Sequence, residues 1–503
     1  MMIDRWLENS SIEINEDIKK YFLNILLIEN ENNINFIKNY LDVIIEIIYI
    51  FSNDPLETQR KIISKFNIDV IQLIQINKII SQSKIIQNII TTKGSGKKYW
   101  NTIIPFARHT SNVIKNIYNF PLRIAFFPGV SCMFYCGFCG RNQNAKYPSD
   151  SSKIGIEKLK SAINEIEGNT AISISGGLEP LTNPHLGDLI THAKSKNLQV
   201  PLITNAYSLT EGYLEKNKGI WNLDSLRISL YGIDEESYEF VTRSKKSYNM
   251  VKKNTVNFLK KKKIFNSQLK VGFNYIILKE NIKDIKKLCN YIEDINNESE
   301  STIDFLTLRE DFGSVTGHDL DVDMERKYRL DGFLNADDRK YLLDQLLYVE
   351  EFKKDKFPNI NIDYGYALQG LLDKKLDYYL VRATDQQVTT KGYPQLSVAI
   401  DLFGDVFLYR EAGFLNRKGN EPYIIGRLEE NNSLENIIKN HLKNCEEKIE
   451  KNSSRFLDSF DHLIAKLLWQ AKEDDDVGVP FQNGPILDRS KISKIKLGNN
   501  WYN

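Results

Sequence analysis

Between residues 123 and 309 the chain alternates, six times over, a short apolar run with an amphipathic stretch. The apolar runs are 123–128, 171–176, 199–204, 225–231, 270–278 and 302–309, and the stretches between them include 156–166, 186–195, 235–241, 251–261 and 282–292. Short runs rich in Ile, Leu, Val and Phe read as strands, and apolar residues at steps of three and four read as helices. A parallel neighbour can be reached only through a long crossover, so this alternation predicts a parallel sheet. Right-handed crossovers wind such units into a barrel or partial barrel. Ligands of such folds gather at the carboxyl ends of the strands.

The loop after the first run carries three of the five cysteines, Cys132, Cys136 and Cys139, spaced C-x3-C-x2-C. Thiolates at this density are ligands for an iron–sulfur cluster. Three sulfurs leave one iron of a [4Fe–4S] cluster without a cysteine from the loop, and an open metal position is where a substrate binds. A zinc knuckle is the alternative. Zinc in a structural site takes a fourth protein ligand, and no His or Cys follows within the next forty residues. Cys289 and Cys445 stand alone, so one cluster is expected. An odd cysteine count with three thiols in one loop does not describe a disulfide framework. Reduced thiols, the absence of a signal-peptide pattern at Met1–Glu8 and the short apolar run 40–51 point to a cytoplasmic protein. A net charge of +1 gives no pull toward nucleic acid or an anionic membrane.

Residues 1 to about 90 read as helical, with a helix expected to start at Asp54-Pro55. Thr91 through Lys98 has the Gly and Lys content of a phosphate loop, but Thr91 stands at the first glycine position and Lys98 at the final hydroxyl position, so it reads as a linker. Near the C-terminus, 397–411 reads as a hairpin with its turn at Gly404-Asp405, followed by an Ile-Gly segment at 423–428 and a helix from Ser433. Three domains are expected: a helical region 1–118, a β/α core 119–315 and an extension 316–503.

The cysteine spacing, the strand before it, Phe138 before the last cysteine and Ser175-Gly176-Gly177-Leu178-Glu179-Pro180 at the end of the second strand resemble the radical S-adenosylmethionine (SAM) superfamily. The resemblance implies a partial (β/α)6 barrel with an N-terminal helical domain and a C-terminal twitch/SPASM-like α+β extension, here without cluster cysteines. It also implies one [4Fe–4S] cluster on Cys132, Cys136 and Cys139, with SAM chelated at the open iron. By the same likeness Gly176, Gly177 and Glu179 take the SAM amino group, although Leu178 separates the glycines from the acid. Phe138, Asn205, Ser229, Arg243 and Arg309 are further SAM candidates. For Ser229 the plainer reading is a satisfied core hydroxyl, and for 242–247 a solvated helix end.

More specific blocks extend the likeness over residues 95–470: Pro128 through Phe134, Ser229 through Gly232, Arg309-Glu310-Asp311, Ile362 through Leu368, and Gly404 through Phe414. They resemble the radical SAM TDP-4-amino-4,6-dideoxy-D-glucose deaminases (ammonia-lyases). That family implies a TDP-sugar substrate, hydrogen abstraction at C3, loss of the C4 amine as ammonia, and a reductase or flavodoxin-type electron donor. Tyr231, Glu310, Tyr364, Tyr366 and Glu411 are then candidates for orienting or deprotonating the sugar, and Lys245 and Arg410 for its phosphates. A radical SAM dehydrogenase on a related nucleotide sugar, a peptide-modifying radical SAM enzyme and a non-enzymatic iron–sulfur protein are the alternatives. Replacing Cys132, Cys136 or Cys139 with Ala is expected to abolish iron binding. Cys289→Ala and Cys445→Ala leave the iron content of anaerobically reconstituted protein unchanged, and a halved content in either would contradict a single cluster.

Overall fold

The computed structural model describes residues 2–8, 14–94, 96–97, 99–100, 106–107, 109–141, 144–166, 170–310, 334–372 and 383–479. The chain forms two compact units. One is built from the chain up to Ile117 together with a C-terminal stretch that begins at His462, the other from Tyr118–Leu372 and Thr384–Asp461.

The first unit is helical. Its helices include Glu16–Glu29, Leu41–Asn53, Gln59–Phe66, Val70–Gln82 and Lys84–Thr92. Phe22, Leu26, Ile44, Ile48 and Phe51 are buried at its centre, with Trp6 packed edge-on to Phe22 at 5.4 Å. The helix expected at Asp54 begins later, at Gln59, with Thr58 as its cap. The reason is tertiary. Asp474 accepts from the Gln59 and Arg60 backbone N–H groups at 2.8 and 3.2 Å and from the Thr58 hydroxyl at 2.7 Å. A carboxylate thus satisfies the unbonded N–H groups of that helix end.

The second unit carries one ten-stranded sheet. Its strands are β1 Arg123–Phe127, β2 Ala171–Ile174, β3 Pro201–Thr204, β4 Ser225–Leu230, β5 Lys270–Ile277, β6 Phe305–Glu310, β7 Asn361–Tyr364, β8 Ser397–Asp401, β9 Asp405–Phe407 and β10 Ile424–Arg427. They lie in the order β10-β9-β8-β1-β2-β3-β4-β5-β6-β7. All pairs from β1 to β7 are parallel. Each strand from β1 to β6 lies beside its successor, so right-handed crossovers place the connecting helices on one face. Among the described residues the order is linear, with edges at β7 and β10, and no closed barrel forms. The C-terminal hairpin continues the sheet, with β8 parallel to β1 and β9 antiparallel to β8.

Alternation along the strands separates two faces. Leu226, Ile228, Leu230, Val271, Phe273, Ile277, Leu306 and Leu308 are buried. Phe273 packs on Tyr291 of helix Ile285–Ser299 at 5.6 Å, which marks the helix-covered face. The opposite parity carries Arg227, Ser229, Asn274, Ile276, Thr307 and Arg309. A face this polar is not built as an apolar core, so it is the one available for ligands.

The approach to β6 is tied by Asp304. Its carboxylate accepts from Val271 N–H at 2.9 Å and pairs with Lys262 at 2.9 Å and Lys270 at 3.0 Å. Burial pushes the Asp304 carboxyl up, but Lys262, the Val271 N–H and Lys270 outweigh it and hold it below its ordinary value. Its stabilising contribution is therefore complete above the unfolded carboxyl pKa and is lost as pH falls through the folded one. Asp304→Ala strands the buried Lys262 ammonium and is expected to cost about 2–4 kcal/mol near neutral pH, read by denaturant titration. The gap to the parent protein should narrow in acid.

Candidate active site

The cysteine loop has almost no regular structure of its own, and neighbouring strand ends hold it. On one side the Thr182 hydroxyl accepts from Val130 and Ser131 N–H at 3.0 and 3.2 Å, and Glu179 N–H donates to the Ser131 carbonyl at 2.9 Å. Gly129 lies so close to the 178–179 backbone that a Cβ would come within 2.7 Å of the Glu179 carbonyl oxygen. On the other side Tyr135 and Gly137 N–H donate to the Thr242 and Val241 carbonyls at 2.8 and 3.3 Å. Phe134 is buried and meets Tyr207, Tyr231 and Tyr238 edge-on at 5.6–5.9 Å. Phe138 packs on Tyr231 at 5.8 Å.

Cys136 is buried, and Cys132 and Cys139 are half-buried. Burial pushes the Cys132 thiol up to about 11 and holds the Cys136 thiol well above its ordinary value, while the Arg141 guanidinium opposes both shifts. Arg141 is itself buried and donates to the Phe134 carbonyl inside the loop. Such thiols ionise when a metal replaces their protons. Among the described residues no three His, Cys, Asp or Glu side chains converge as ligands of one metal ion. A [4Fe–4S] cluster makes no such demand, since each thiolate binds a different iron. The three thiols therefore fit a cluster.

At the ends of β2 and β3, Gly176 and Gly177 follow Ser175, and Gly177 is so close to Phe414 that a Cβ would come within 2.6 Å of the ring. Glu179 is buried. Its Oε1 accepts from Leu181 N–H and the Thr204 hydroxyl, and its Oε2 accepts from Asn205 N–H. Burial pushes its carboxyl up to about 7 against these bonds. The Asn205 side-chain amide donates to Met133 Sδ at 3.2 Å and lies 3.9 Å from Cys132 Sγ. Tyr231, its phenol pushed well up by burial, packs on Phe134 and Phe138 and walls the same side. Arg243 caps helix Glu235–Thr242 with a φ of +57° and lies over the Phe240 ring, just beyond the carbonyls that hold the loop. Lys245, two residues on, is exposed.

The segment 410–417 brings a further set of charges. Arg410 donates to the Ser175 hydroxyl at 2.6 Å and pairs with Asp458 at 3.2 Å, and its backbone N–H donates to Asp461 at 2.9 Å. Glu411 pairs at 3.1 Å with Arg417, whose guanidinium also donates to the carbonyls of Gly140 and Arg455 at 3.1 and 2.9 Å. Burial pushes the Glu411 carboxyl up to about 7, with Arg417 opposing. Arg410 and Glu411 thus meet the Ser175 end and the Gly140 end of the site.

Tyr364 is not brought there. It has the helix-side parity of β7, and its phenol donates to Glu350 of helix Ala336–Lys356. Arg309 is on the open face of β6. The side chains of Glu310 and Tyr366 lie outside the described residues. Arg141, Arg417 and Asp458 were not legible as site residues. Only Arg141, two positions after Cys139, carried a local signal.

Residues 126–292 match the radical SAM superfamily model. The chain is 35% identical over 388 residues to dTDP-4-amino-4,6-dideoxy-D-glucose ammonia-lyase of Streptomyces venezuelae, covering 76% of this chain and 77% of that protein. Among solved structures it is similar to Streptococcus suis SuiB bound to precursor peptide SuiA, at 17% identity and a TM-score of 0.41, covering 59% of this chain and 62% of that one. It is also similar to anSMEcpe with bound AdoMet, at 16% identity and a TM-score of 0.40, covering 64% and 82%. Replacing Arg417 with Met leaves the Glu411 carboxylate buried without its ion pair and is expected to cost about 3–5 kcal/mol in denaturant titration, with Arg417→Lys recovering part of it. The chain belongs to the radical SAM superfamily, whose enzymes work with a [4Fe–4S] cluster and S-adenosylmethionine, and within it to the family that includes this ammonia-lyase.

Proposed function

We propose that this enzyme eliminates ammonia from a TDP-4-amino-4,6-dideoxyhexose and leaves the 3-keto-4,6-dideoxy sugar. The observation that carries the reading is the 35% identity over 388 residues, which reaches well beyond the matched segment 126–292. When bound, the reduced cluster and SAM supply a 5′-deoxyadenosyl radical that takes hydrogen from C3 of the sugar. The rest falls to this chain's own side chains. Cys132, Cys136 and Cys139 would hold three irons. The backbone at Gly176-Gly177 would take the SAM amino group, with Glu179 fixing the turn through Leu181, Thr204 and Asn205. Asn205 and Ser229 would meet the ribose, Phe138 and Tyr231 would wall the site, and Arg243 would balance the SAM carboxylate.

Glu411, oriented by Arg417 beside Gly140, would accept a hydrogen bond from the sugar's hydroxyl or ammonium. Lys245 and Arg410 are the cations for the pyrophosphate. A reductase or flavodoxin-type protein would donate the electron. Reduced thiols and an electron-transfer partner fit the cytoplasm, and no described helix is long and apolar enough to cross a membrane. The test is anaerobic turnover with SAM and TDP-4-amino-4,6-dideoxyglucose. Ammonia and keto-sugar formed in step with 5′-deoxyadenosine are expected. A ketone that retains its amine would make the enzyme a dehydrogenase instead.

A further inference from the structure

The open face of the sheet holds a polar row that no single strand reveals. Asn205, the residue after β3, continues the register that pairs Thr204 with Ile228 and so stands beside Ser229. Ser229 pairs with Asn274, Asn274 with Thr307, and Thr307 with Asp363. Five polar side chains therefore lie abreast across β3–β7. A polar residue at the middle of a parallel strand is costly unless it is bonded. Thr307 is 1% exposed, yet its hydroxyl has no hydrogen-bond partner among the described residues, and neither has the side-chain oxygen of Asn274.

The row's position relates it to the cysteine loop. Its first member, Asn205, lies 3.9 Å from Cys132 Sγ. One pleat further on, about 6.6 Å along the strands, Tyr231 packs against Phe138 of the loop, and Ile276 packs on the same pair, Val241 and Leu278, as both of them. With strands about 4.8 Å apart, Asn274 is about 10 Å and Thr307 about 14 Å from Asn205 along the row. The near end, Asn205 and Ser229, is within reach of a molecule seated on the cluster. The far end stands off by roughly the length of a nucleoside.

We propose that Asn274 and Thr307, with Asp363 beside them, form the subsite for the polar edge of the substrate's hexose ring. This deepens the deaminase reading and rests on it. A sugar ring offers hydroxyl and amino donors and acceptors on one edge. Asn274 and Thr307 present an amide and a hydroxyl to receive them, and Asp363 places a carboxylate at the row's end. A bound sugar would satisfy the Thr307 hydroxyl and the Asn274 amide oxygen, which have no partner among the described residues, so the site is costly empty and repaid by ligand. The row also orders the reactants, with the nucleoside of SAM over β3–β4 and the sugar over β5–β7.

The experiment compares Thr307→Val and Asn274→Ala with the parent protein, all cluster-loaded and anaerobic. Thr307→Val replaces a hydroxyl that has no partner among the described residues with a methyl, so its thermal midpoint should stay or rise. Iron content and SAM affinity should match the parent in both variants. Binding of TDP-4-amino-4,6-dideoxyglucose without reductant should weaken about tenfold in each, the loss of one hydrogen bond. Ammonia released per 5′-deoxyadenosine should fall as well. Unchanged sugar binding in both variants, with the parent binding normally, overturns the subsite alone. Weakened SAM binding with unchanged sugar binding assigns the row to SAM and also overturns it. A parent enzyme that binds no such sugar sinks the deaminase reading, and the sugar subsite with it.

Discussion

The loop that carries Cys132, Cys136 and Cys139 depends on its anchors, because its own sequence offers no helix or strand to fix three sulfurs. Backbone bonds from Ser131 to Glu179 and from Tyr135 to Thr242 clamp it between the end of β2 and the helix after β4. A [4Fe–4S] cluster with one free iron can direct a radical only if its ligands stay fixed, as preorganised sites require. The buried Phe134 ring and the Arg141 guanidinium complete the clamp from within. The remaining structure can be understood as the means of presenting that loop to one face of a sheet.

The C-terminal segment shares in this. β8 adds to the edge beside β1, so the hairpin sits next to the strand that launches the loop. The 410–417 segment then reaches Ser175 through Arg410 and Gly140 through Arg417. This C-terminal segment thus contributes charged side chains to the site. Buried pairs of this kind contribute little net stability, so their presence beside the cysteine loop is better explained by positioning than by the fold.

Much of the frame was legible. Strands expected at 225–231 and 270–278 form at Ser225–Leu230 and Lys270–Ile277, because alternating apolar runs have few other outcomes. The Gly404 turn was legible because the backbone there adopts a φ of +84° that glycine tolerates. The start of the helix at Gln59 was not, since Asp474, over 400 residues away, sets it. Neither was the pairing of β1 with β8, which joins Arg123 to Ser397. Arg417 gave no local sign, and the row from Asn205 to Asp363 depends on strand register that no one strand encodes. Tyr364 was drawn to the site by its place at a strand end, whereas parity turns it to Glu350. Glycine pairs and cysteine spacing reveal where a cofactor sits, while the substrate's surroundings come from long-range packing.

The central claim is that the cysteine loop directs a radical to one carbon of an amino sugar. The most direct measurement follows the hydrogen. Reduced enzyme is given SAM and TDP-4-amino-4,6-dideoxyglucose deuterated at C3, and the mass of the 5′-deoxyadenosine is recorded. One deuterium in that product is the predicted result. Unlabelled 5′-deoxyadenosine formed alongside complete conversion of the sugar would contradict the account.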